Sequence, residues 1–595
     1  MSTYTAPVRD IRFTLDHIVD FQAVTALAPF SEVTPDLVDA ILNEAGRFAA
    51  EVVAPSNVIS DRQGCTLENG VVRTPEGYPE IYKQFIEAGW NSLPFPAEIG
   101  GQGLPTSLSI ATNEMWAAAN MAFSLAATLS HGAVEVMEAY GTEELKNAYL
   151  AKMVSGEWAC TMNLTESQAG SDVGALRTKA EPKSDGSYLI SGQKIFITYG
   201  EHDMTDNIVH LVLARTPGSP PGTKGISLFL VPKYIVGPDG TMGAKNDIRC
   251  VSIEHKMGIH GAPTCVMSYG DDGQCVGYLL GEEHGGMKAM FLMMNNARLL
   301  VGLQGVGVSE RAYQQALAYA KDRRQGRPIG YKGQDSRPII EHADVRRMLM
   351  TMKAKTEVAR ALAYLSGAAL DLSAHHSDQT VRAAQLTRAE LLTPIVKSWC
   401  SDAGNDVASL GIQVHGGMGF IEETGAAQYY RDARIAAIYE GTNGIQANDL
   451  LFRKLPANDG AALKSLIAEL TASLPAAGSD LDDLTGSIKD SLDALGEVAD
   501  WFRATATQDP VAAAPGAAAF LNMAGAVIGG ALLAKGAAEA KKLIDAGDTN
   551  KRFLETKIAL ARYFAATEIP AAVARGQSAP FANPIVAALA PDAME

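Results

Sequence analysis

The chain has 595 residues, of which 47% are hydrophobic and 20% charged, with a formal net charge of −17 and a pI near 5.2. This length allows several domains, each with its own core, and the composition is that of an ordinary soluble globular protein. The acidic balance argues against nucleic acid as the main partner, because phosphate binding requires a basic face.

The cysteines and histidines give no sign of a metal site or of disulfides. The six cysteines contain no C-x-x-C pair and no zinc spacing, and His375-His376 and the other histidines lack metal spacing as well. We expect reduced, buried thiols. The N-terminal stretch MSTYTAPVRDIRFTL contains no apolar run typical of an export signal. These features predict a cytoplasmic protein without a metal.

The first half of the chain changes from a helical to a β pattern. Apolar residues at three- and four-residue steps predict helices from about residue 34 to 157, as in VTPDLVDAILNEAGRFAAEVV. From residue 158, β-rich runs such as YLISGQKIFITYG and NIVHLVLART alternate with Gly, Pro and Asp clusters. The stretch from about 158 to 280 therefore predicts an antiparallel sheet or a small barrel.

Helices return after Gly285 with a long proline-free segment, and two or three more are predicted between 340 and 410. An Ala-rich helical region follows Asn458 and ends in a proline-containing tail, 579–595. The predicted fold is α+β and mostly α. Its domains are an N-terminal helical domain (1–157), a central antiparallel β domain (158–280), a four-helix-bundle-type domain (281–457) and an additional C-terminal helical domain (458–595).

One segment, GAAAFLNMAGAVIGGALLAKGAA (516–538), is nearly apolar over about the length of a membrane span. It consists mostly of Ala and Gly and contains Asn522, so its total hydrophobicity is weak. Small residues let helices approach closely. We therefore interpret the segment as a buried helix of a tightly packed bundle, without stable membrane insertion.

No glycine motif for a dinucleotide or a P-loop is present, since GLQGVGVSE (302–310) has the wrong spacing and lies within a predicted helix. Another set of segments combines hydroxyls, glycines, an aromatic residue, arginines and one carboxylate, Glu440. Each alone is typical of a turn or a helix end, and Glu440 alone could favour a helix dipole. The segments are MNLTESQAGSDVGALRTKA (162–180), GQKIFITYG (192–200), YAKDRRQGRPIG (319–330), QVHGGMGF (413–420) and AAIYEGTNGIQANDLL (436–451).

In this order, and on this helix–sheet–helix frame, the chain resembles the acyl-CoA dehydrogenases, flavoenzymes that desaturate acyl-CoA thioesters. The resemblance covers roughly residues 80–455, with YEGT and TESQAGSD as its most distinctive marks. HKMGIHGAPTC (255–265), MMNNAR (293–298) and the region beyond 458 resemble a longer-chained branch that includes 3-(methylthio)propanoyl-CoA dehydrogenases and broad-range acyl-CoA dehydrogenases. The resemblance implies FAD, an acyl-CoA substrate, electron-transfer flavoprotein as electron acceptor, and at least a homodimer.

The resemblance also assigns roles to single residues. Glu440 matches the base that removes the α-proton, while the β-hydride goes to flavin N5. Arg324, Gln413 and Gly417 match contacts to the flavin across a subunit interface. Positions that match flavin contacts are Met162, Thr165, Ser171, Phe196, Thr198, Arg324, Gln413, Gly417 and Thr442. Positions that match substrate contacts are Ser171, Asn295, Arg298 and Gly441. Phe196 stands where many relatives have Trp, and Gly444 where a Gln often helps to hold adenosine.

The chemistry of desaturation explains why a base such as Glu440 must be unusual. The α C–H of a thioester is far too weak an acid for a solvated carboxylate, so the base must be desolvated and the enolate oxygen needs hydrogen-bond donors. The apolar run Ala436–Tyr439 is consistent with such a site, and Gly441 permits a strained turn beside a ligand. Arg298, in an apolar helix, has two open interpretations: contact with the ligand, or a pair with a local carboxylate.

The branch resemblance implies conversion of 3-(methylthio)propanoyl-CoA to methylthioacryloyl-CoA, as in dimethylsulfoniopropionate catabolism. The alternatives are a short- or medium-chain acyl-CoA dehydrogenase of fatty acid metabolism and an acyl-CoA oxidase. Met115, Met121 and Phe123 could narrow the acyl pocket or belong to the core. DNA-binding relatives would need a basic face, whereas 479–500 is acidic, and nitroalkane-type oxidases have Asp in place of Glu440.

Overall fold

The computed structural model describes residues 4–475 and 478–594, which form two compact units. Unit 1 contains residues 4–47, 105–118, 298–475 and 478–594, and unit 2 contains residues 48–104 and 119–297. Unit 1 is helical, whereas unit 2 holds the strands. The predicted α+β fold, mostly helical with a central β domain, is confirmed.

The α-helices of the described residues are numbered here in chain order. They are α1 (Val8–His17), α2 (Phe21–Thr25), α3 (Pro35–Phe48), α4 (Ser56–Gln63), α5 (Tyr78–Glu87), α6 (Thr106–Ala119), α7 (Met121–Tyr140), α8 (Glu143–Leu145), α9 (Ala151–Ser155), α10 (Gly286–Asp322), α11 (Ala343–His375), α12 (Gln379–His415), α13 (Ala426–Arg434), α14 (Asn443–Asp449), α15 (Ala461–Ala472), α16 (Asp482–Gln508), α17 (Pro510–Ala513), α18 (Ala517–Asp545) and α19 (Lys551–Ala588).

The strands all lie in unit 2. They are β1 (Thr66–Glu68), β2 (Val71–Arg73), β3 (Trp158–Asn163), β4 (Lys179–Pro182), β5 (Tyr188–Thr198), β6 (Asn207–Ala214), β7 (Ser227–Pro232), β8 (Tyr234–Val236), β9 (Met242–Lys245), β10 (Ile248–Ile253), β11 (Thr264–Tyr269) and β12 (Val276–Leu280).

Eight of these strands form one sheet in the order β10-β11-β5-β12-β7-β6-β3, with β4 paired to β5. The prediction of an antiparallel sheet is correct for most neighbours but wrong for β3 and β6, which run parallel. Parallel neighbours need a crossover connection, and β4 and β5 lie in the chain between them. Strands β6 and β7 are buried along their whole length because apolar side chains cover both faces of the sheet there.

Two predicted boundaries differ from the structure. The region predicted as helical up to 157 also contains the hairpin β1–β2, whose turn has Asn69 and Gly70 at positive φ. Asn-Gly is the preferred turn of a two-residue hairpin, so the signal was present in the sequence. Helix α19 continues through Pro570, Pro580 and Pro584 instead of ending before a tail. Burial of its inner face against α18 outweighs the cost of the prolines.

The apolar segment predicted to be a buried bundle helix is α18, which packs against α11, α12, α16 and α19 inside unit 1. By length and composition the segment Pro510–Asp545 could cross a membrane, but 83% of its most apolar window is buried by the rest of the chain. A Cβ at Gly525 would lie 2.5 Å from the Trp399 ring of α12. The small residues therefore allow the close helix contacts that the sequence predicted.

All six cysteines are free, five of them buried and Cys65 half-buried. Burial raises the pKa of the Cys65 and Cys160 thiols to about 12, so both are protonated at neutral pH. They behave as small core residues, as predicted. In residues 4–475 and 478–594 no group of His, Cys, Asp and Glu is arranged to hold a metal ion.

A buried network of ion pairs connects five helices of unit 1. The guanidinium of Arg360 (α11) contacts Glu114 (α6) at 2.6 Å, Glu310 (α10) at 2.9 Å and Glu357 (α11) at 3.3 Å. Lys557 of α19 joins Glu357 at 2.7 Å and Asp10 of α1 at 2.6 Å. The first and last of the described α-helices, α1 and α19, are thus joined to the central helices by charges that are buried, apart from the partly exposed Asp10.

We expect Arg360→Met to lower the free energy of unfolding by about 3–5 kcal/mol, because it leaves Glu114 and Glu310 buried without their shared cation. Arg388→Met is the matched control, since Arg388 pairs with the half-exposed Glu469 and its loss should cost about 1 kcal/mol or less. Urea titration of the purified proteins measures both. Equal destabilisation by the two substitutions would contradict the role given to the network.

Candidate active site

Glu440 lies in the short loop between the helical turn Ile435–Ala437 and α14. Its φ is 57° and that of Gly441 is 83°, so two successive residues adopt the left-handed region. For Glu440 this conformation is strained and persists only where the surroundings enforce it. Such strain is common at functional sites.

Hydrogen bonds from α14 enforce that geometry. The Gln446 side-chain amide donates to the carbonyl of Glu440 at 3.2 Å and to that of Gly441 at 3.1 Å. Thr442 caps α14, because its hydroxyl accepts from the Ile445 N–H at 3.2 Å. The φ of Gly441 favours glycine, and a Cβ there would lie 2.8 Å from the Gln446 amide nitrogen and displace the side chain that holds the turn.

Asn443 ties the other side of the loop to α12. Its amide nitrogen donates to Asp402 at 2.7 Å and to the Ser401 hydroxyl at 3.0 Å. Its amide oxygen accepts from the Lys397 ammonium at 2.9 Å. Both ends of the Asn443 side chain are therefore used, and the start of α14 cannot move independently of α12.

The electrostatics of the Glu440 carboxyl are set by opposing effects. Burial raises its pKa to about 7, while the positive charges of Arg298 and Lys397 act to lower it. Burial also lowers the pKa of Lys397 to about 8, against the attraction of Glu440. A carboxyl with a pKa close to neutral is suited to accept a proton at physiological pH.

The structure supports one of the two interpretations of Arg298, the pair with a local carboxylate, because its guanidinium contacts Asp449 of α14 at 3.2 Å. Its Nε is buried and has no hydrogen-bond partner among the described residues. Burial lowers the pKa of Arg298, opposed by Asp449 and Glu440. The predicted contact with a ligand stays a prediction, and the unpartnered Nε is available for it.

The apolar run before Glu440 is only partly buried: Ala436 is buried, but Ile438 is 46% exposed. The carboxyl is therefore desolvated mainly by the helices around it and less by this run. The backbone N–H of Glu440 donates to no acceptor in the described residues. This N–H is therefore available as a donor next to the carboxylate.

In unit 2, the loop after β3 carries Thr165 and is held by a buried carboxylate, Glu166. Glu166 accepts from the Arg177 N–H at 2.7 Å and from the Lys194 ammonium at 2.9 Å. Burial acts to raise its pKa, but the Lys194 charge and these hydrogen bonds bring it to about 2. The Thr165 carbonyl accepts from the Ile195 N–H at 2.9 Å, which brings Thr165 next to β5.

Phe196 on β5 is 56% exposed and has a φ of 60°. The pairing of β5 with β11 is irregular at this point, between Cys265 and Met267. This irregularity turns the ring out of the sheet. Met162, Thr165 and Thr198 are half-buried and Ser171 is exposed, so unit 2 presents an accessible aromatic ring together with hydroxyl groups. Asn295, at the unit 2 end of α10, is half-buried.

The remaining predicted residues lie in unit 1. Arg324 follows α10, is exposed and donates to the Ser336 carbonyl at 2.6 Å. Gln413 and Gly417 lie at the end of α12 and are exposed. Gln413 is 16 residues beyond Lys397 on the same helix, about 24 Å along its axis. Within unit 1, the structure thus brings together Glu440, Gly441, Thr442 and Arg298, while Gln413 and Gly417 lie far from them.

Sequence reasoning did not identify Lys397, Asn443, Gln446 or Glu166. Lys397 had a usable signal, because it interrupts the apolar run TPIVKSWC in the middle of a helix. Met115, Met121 and Phe123, considered for the acyl pocket, are buried at 3% exposure or less. The Phe123 ring packs 5.4 Å from that of Tyr78, which is a core contact.

Comparison with known proteins shows similarity along most of the chain. Four family profiles match in the order expected for one enzyme: acyl-CoA dehydrogenase N-terminal domain (36–157), middle domain (161–271) and C-terminal domain (284–454), followed by an acetyl-CoA dehydrogenase C-terminal-like domain (463–586). Together they cover well over half of the chain.

Individual relatives agree with this assignment. The 3-methylmercaptopropionyl-CoA dehydrogenase of Ruegeria pomeroyi is 48% identical over 95% of both chains. The broad-specificity linear acyl-CoA dehydrogenase of Mycobacterium tuberculosis is 35% identical over 96% of both. The crystal structure of the Bacillus anthracis acyl-CoA dehydrogenase complexed with FAD has a TM-score of 0.72 and 22% identity, covering 95% of this chain and 90% of that one, which shows a shared fold. The chain therefore belongs to the acyl-CoA dehydrogenase family, oxidoreductases that act on a CH–CH group.

Proposed function

We propose that the protein catalyses the FAD-dependent α,β-desaturation of an acyl-CoA thioester, with Glu440 as the base. The observation that carries this proposal is the Glu440 carboxyl, whose pKa is raised to about 7 by burial in a strained loop fixed by Gln446 and Asn443. A group of this pKa is ionised in a large fraction of molecules at neutral pH and is still basic enough to accept a proton.

The chain's own residues account for removal of the α-proton. Glu440 takes the proton from the carbon next to the thioester carbonyl, and negative charge then develops on the carbonyl oxygen. The N–H of Glu440, which has no acceptor among the described residues, is a donor for that oxygen, and one such hydrogen bond lowers a barrier by about 3 kcal/mol. Gly441, without a Cβ, keeps the backbone accessible to the ligand.

The residues of unit 2 fit a flavin. The exposed Phe196 ring supplies a stacking face, while Met162 and the hydroxyls of Thr165, Ser171 and Thr198 supply apolar and polar contacts. FAD, when bound, supplies the acceptor for the β-hydride, which no protein side chain can accept. In unit 1, Thr442 is exposed beside Glu440. Gln413 and Gly417 are exposed far along α12, as expected of residues that serve the flavin of a partner subunit.

For the substrate we favour 3-(methylthio)propanoyl-CoA, which yields methylthioacryloyl-CoA in the catabolism of dimethylsulfoniopropionate. The 48% identity to a 3-methylmercaptopropionyl-CoA dehydrogenase, named for the same thioester, supports this choice. The alternative is a short or medium straight-chain acyl-CoA, supported by the relative named as a broad-specificity linear acyl-CoA dehydrogenase. Asn295 and Arg298, three residues apart on α10, are the proposed contacts to the CoA ester.

We place the enzyme in the cytoplasm as at least a homodimer that passes electrons to electron-transfer flavoprotein. The free, mostly buried cysteines suit a reducing compartment. Met418, Phe420 and Ile421, next to Gly417, are 48%, 87% and 44% exposed, an apolar surface suited to contact with a second subunit. An acyl-CoA oxidase, the alternative, would return the electrons to oxygen and release peroxide.

Glu440→Gln should slow flavin reduction by roughly 10²- to 10⁴-fold, because the amide cannot accept the α-proton. Anaerobic stopped-flow mixing with the preferred acyl-CoA, followed by the loss of flavin absorbance, measures the rate. Flavin content and the dissociation constant of the acyl-CoA should stay close to wild type, which separates loss of the base from loss of the site.

Glu497→Gln, an exposed carboxylate on α16, is the control and should reduce the flavin at the wild-type rate. Prompt bleaching of the Glu440→Gln enzyme would refute the proposed function.

Comparison of kcat/KM for 3-(methylthio)propanoyl-, butanoyl- and octanoyl-CoA tests the substrate choice. We expect the thioether ester to exceed octanoyl-CoA by at least about tenfold, as each mismatched methylene in an apolar pocket costs roughly 1–3 kcal/mol. A preference for octanoyl-CoA would overturn the choice of substrate and leave the reaction type unaffected.

A further inference from the structure

Lys397 differs from the other buried lysines of the protein. Four lysines in the described residues are at 9% exposure or less as whole residues: Lys194, Lys233, Lys397 and Lys557. Three of them contact a carboxylate directly, namely Glu166, Glu201, and both Asp10 and Glu357. Among the described residues, Lys397 has no carboxylate within 4 Å, although it is fully buried.

The only described acceptor for the Lys397 ammonium is the neutral amide oxygen of Asn443, at 2.9 Å. An ammonium has three N–H donors, so two of them lack a described partner. Burial of a cation without an ion pair is costly. A chain that needed this position only for packing would be more stable with an apolar residue, so the charge itself calls for an explanation.

The position of Asn443 explains why a charged residue is present at position 397. Asn443 is the first residue of α14, three residues after Glu440, and its amide nitrogen is fixed by Asp402 and Ser401. With the amide held in this orientation, its oxygen faces Lys397. We propose that Lys397 is a positioning residue that keeps the Glu440 carboxyl ionised before substrate binds, and that Asn443 fixes the ammonium in place for this task. The inference rests on the proposed function of Glu440.

The charged groups around Glu440 come from each element packed against its loop. Arg298 is paired with Asp449, which also lies 3.7 Å from Arg453, so its charge is offset only in part and it lowers the Glu440 pKa together with Lys397. Asp402, the nearest carboxylate on the Lys397 helix, is exposed and bound to Asn443. The groups are Arg298 of α10, Lys397 and Asp402 of α12, Asp449 of α14, Arg453 after α14, and Tyr439 of the loop itself.

The effect of Lys397 on Glu440 has a definite sign. An unneutralised cation favours the carboxylate and lowers its pKa, whereas desolvation raises it. Removal of the cation therefore leaves desolvation less opposed, so more of the base is protonated at neutral pH. Above the new pKa, the same carboxylate is ionised again and is a stronger base.

Lys397→Met retains the length of the side chain and removes the charge. The acid limb of the pH profile for flavin reduction should move up by about one unit, which makes the rate about tenfold lower at pH 6. At pH 9 the rate should return to the wild-type value or exceed it. Lys397→Arg should restore the wild-type profile, and Lys355→Met, which removes a partly buried, ion-paired lysine from α11, should leave it unchanged.

A loss of rate that is equal at every pH would show that Lys397 only supports the packing of α12, and would overturn the inference. If Lys397→Met fails to fold, Asn443→Ala serves instead. It deprives the ammonium of its acceptor and should move the acid limb in the same direction by a smaller amount, and an unmoved limb would equally overturn the inference.

A second readout does not depend on turnover. Difference infrared spectra against Glu440→Gln identify the carboxylic acid band of Glu440, and its titration gives the pKa directly. Lys397→Met should raise that pKa relative to wild type, while an unchanged value would refute the role of Lys397. Failure of the proposed function would instead appear as rapid flavin reduction by Glu440→Gln, whatever the titration shows.

Discussion

As the proposed base, the Glu440 carboxyl must meet two opposing requirements. It has to be dry, because a solvated carboxylate cannot remove a proton from carbon, and it has to be ionised before the substrate arrives, which dryness opposes. The structure balances burial against the positive charges of Arg298 and Lys397, which brings the pKa to about 7. The positive charges alone would lower the pKa and give too weak a base. Burial alone would raise the pKa and keep the group protonated at neutral pH. The other features of unit 1 maintain this balance.

Three helices share that task, and each has a distinct part. Helix α10 supplies Arg298, α12 supplies Lys397, and α14 supplies Gln446, which fixes the left-handed turn at Glu440. Small shifts between them would change the field at the carboxyl. The buried network around Arg360 links α10 to α11, and the glycines of α18 allow it to pack closely on α11 and α12. The additional C-terminal region thus supports the helices around the proposed base.

The sequence predicted the order of helical and β regions, the long helix α10 and the burial of α18, because periodicity and composition are local signals. It missed the parallel pairing of β3 with β6 and the course of α19 through its prolines, which depend on distant packing. Glu440 was proposed as the base from its motif. Lys397 was not singled out from the sequence. Its role depends on its contact with Asn443, 46 residues later in the chain, and no spacing rule connects the two residues.

Exchange of the substrate α-proton with solvent tests the central claim most directly. With the flavin already reduced, hydride transfer is blocked, so deuterium uptake at the α carbon in D₂O reports the base alone. We expect the wild-type enzyme to catalyse this uptake at a rate that rises with pH through about 7, as Glu440 ionises, and Glu440→Gln to show no uptake above the buffer rate. Uptake at the wild-type rate by Glu440→Gln would contradict the account.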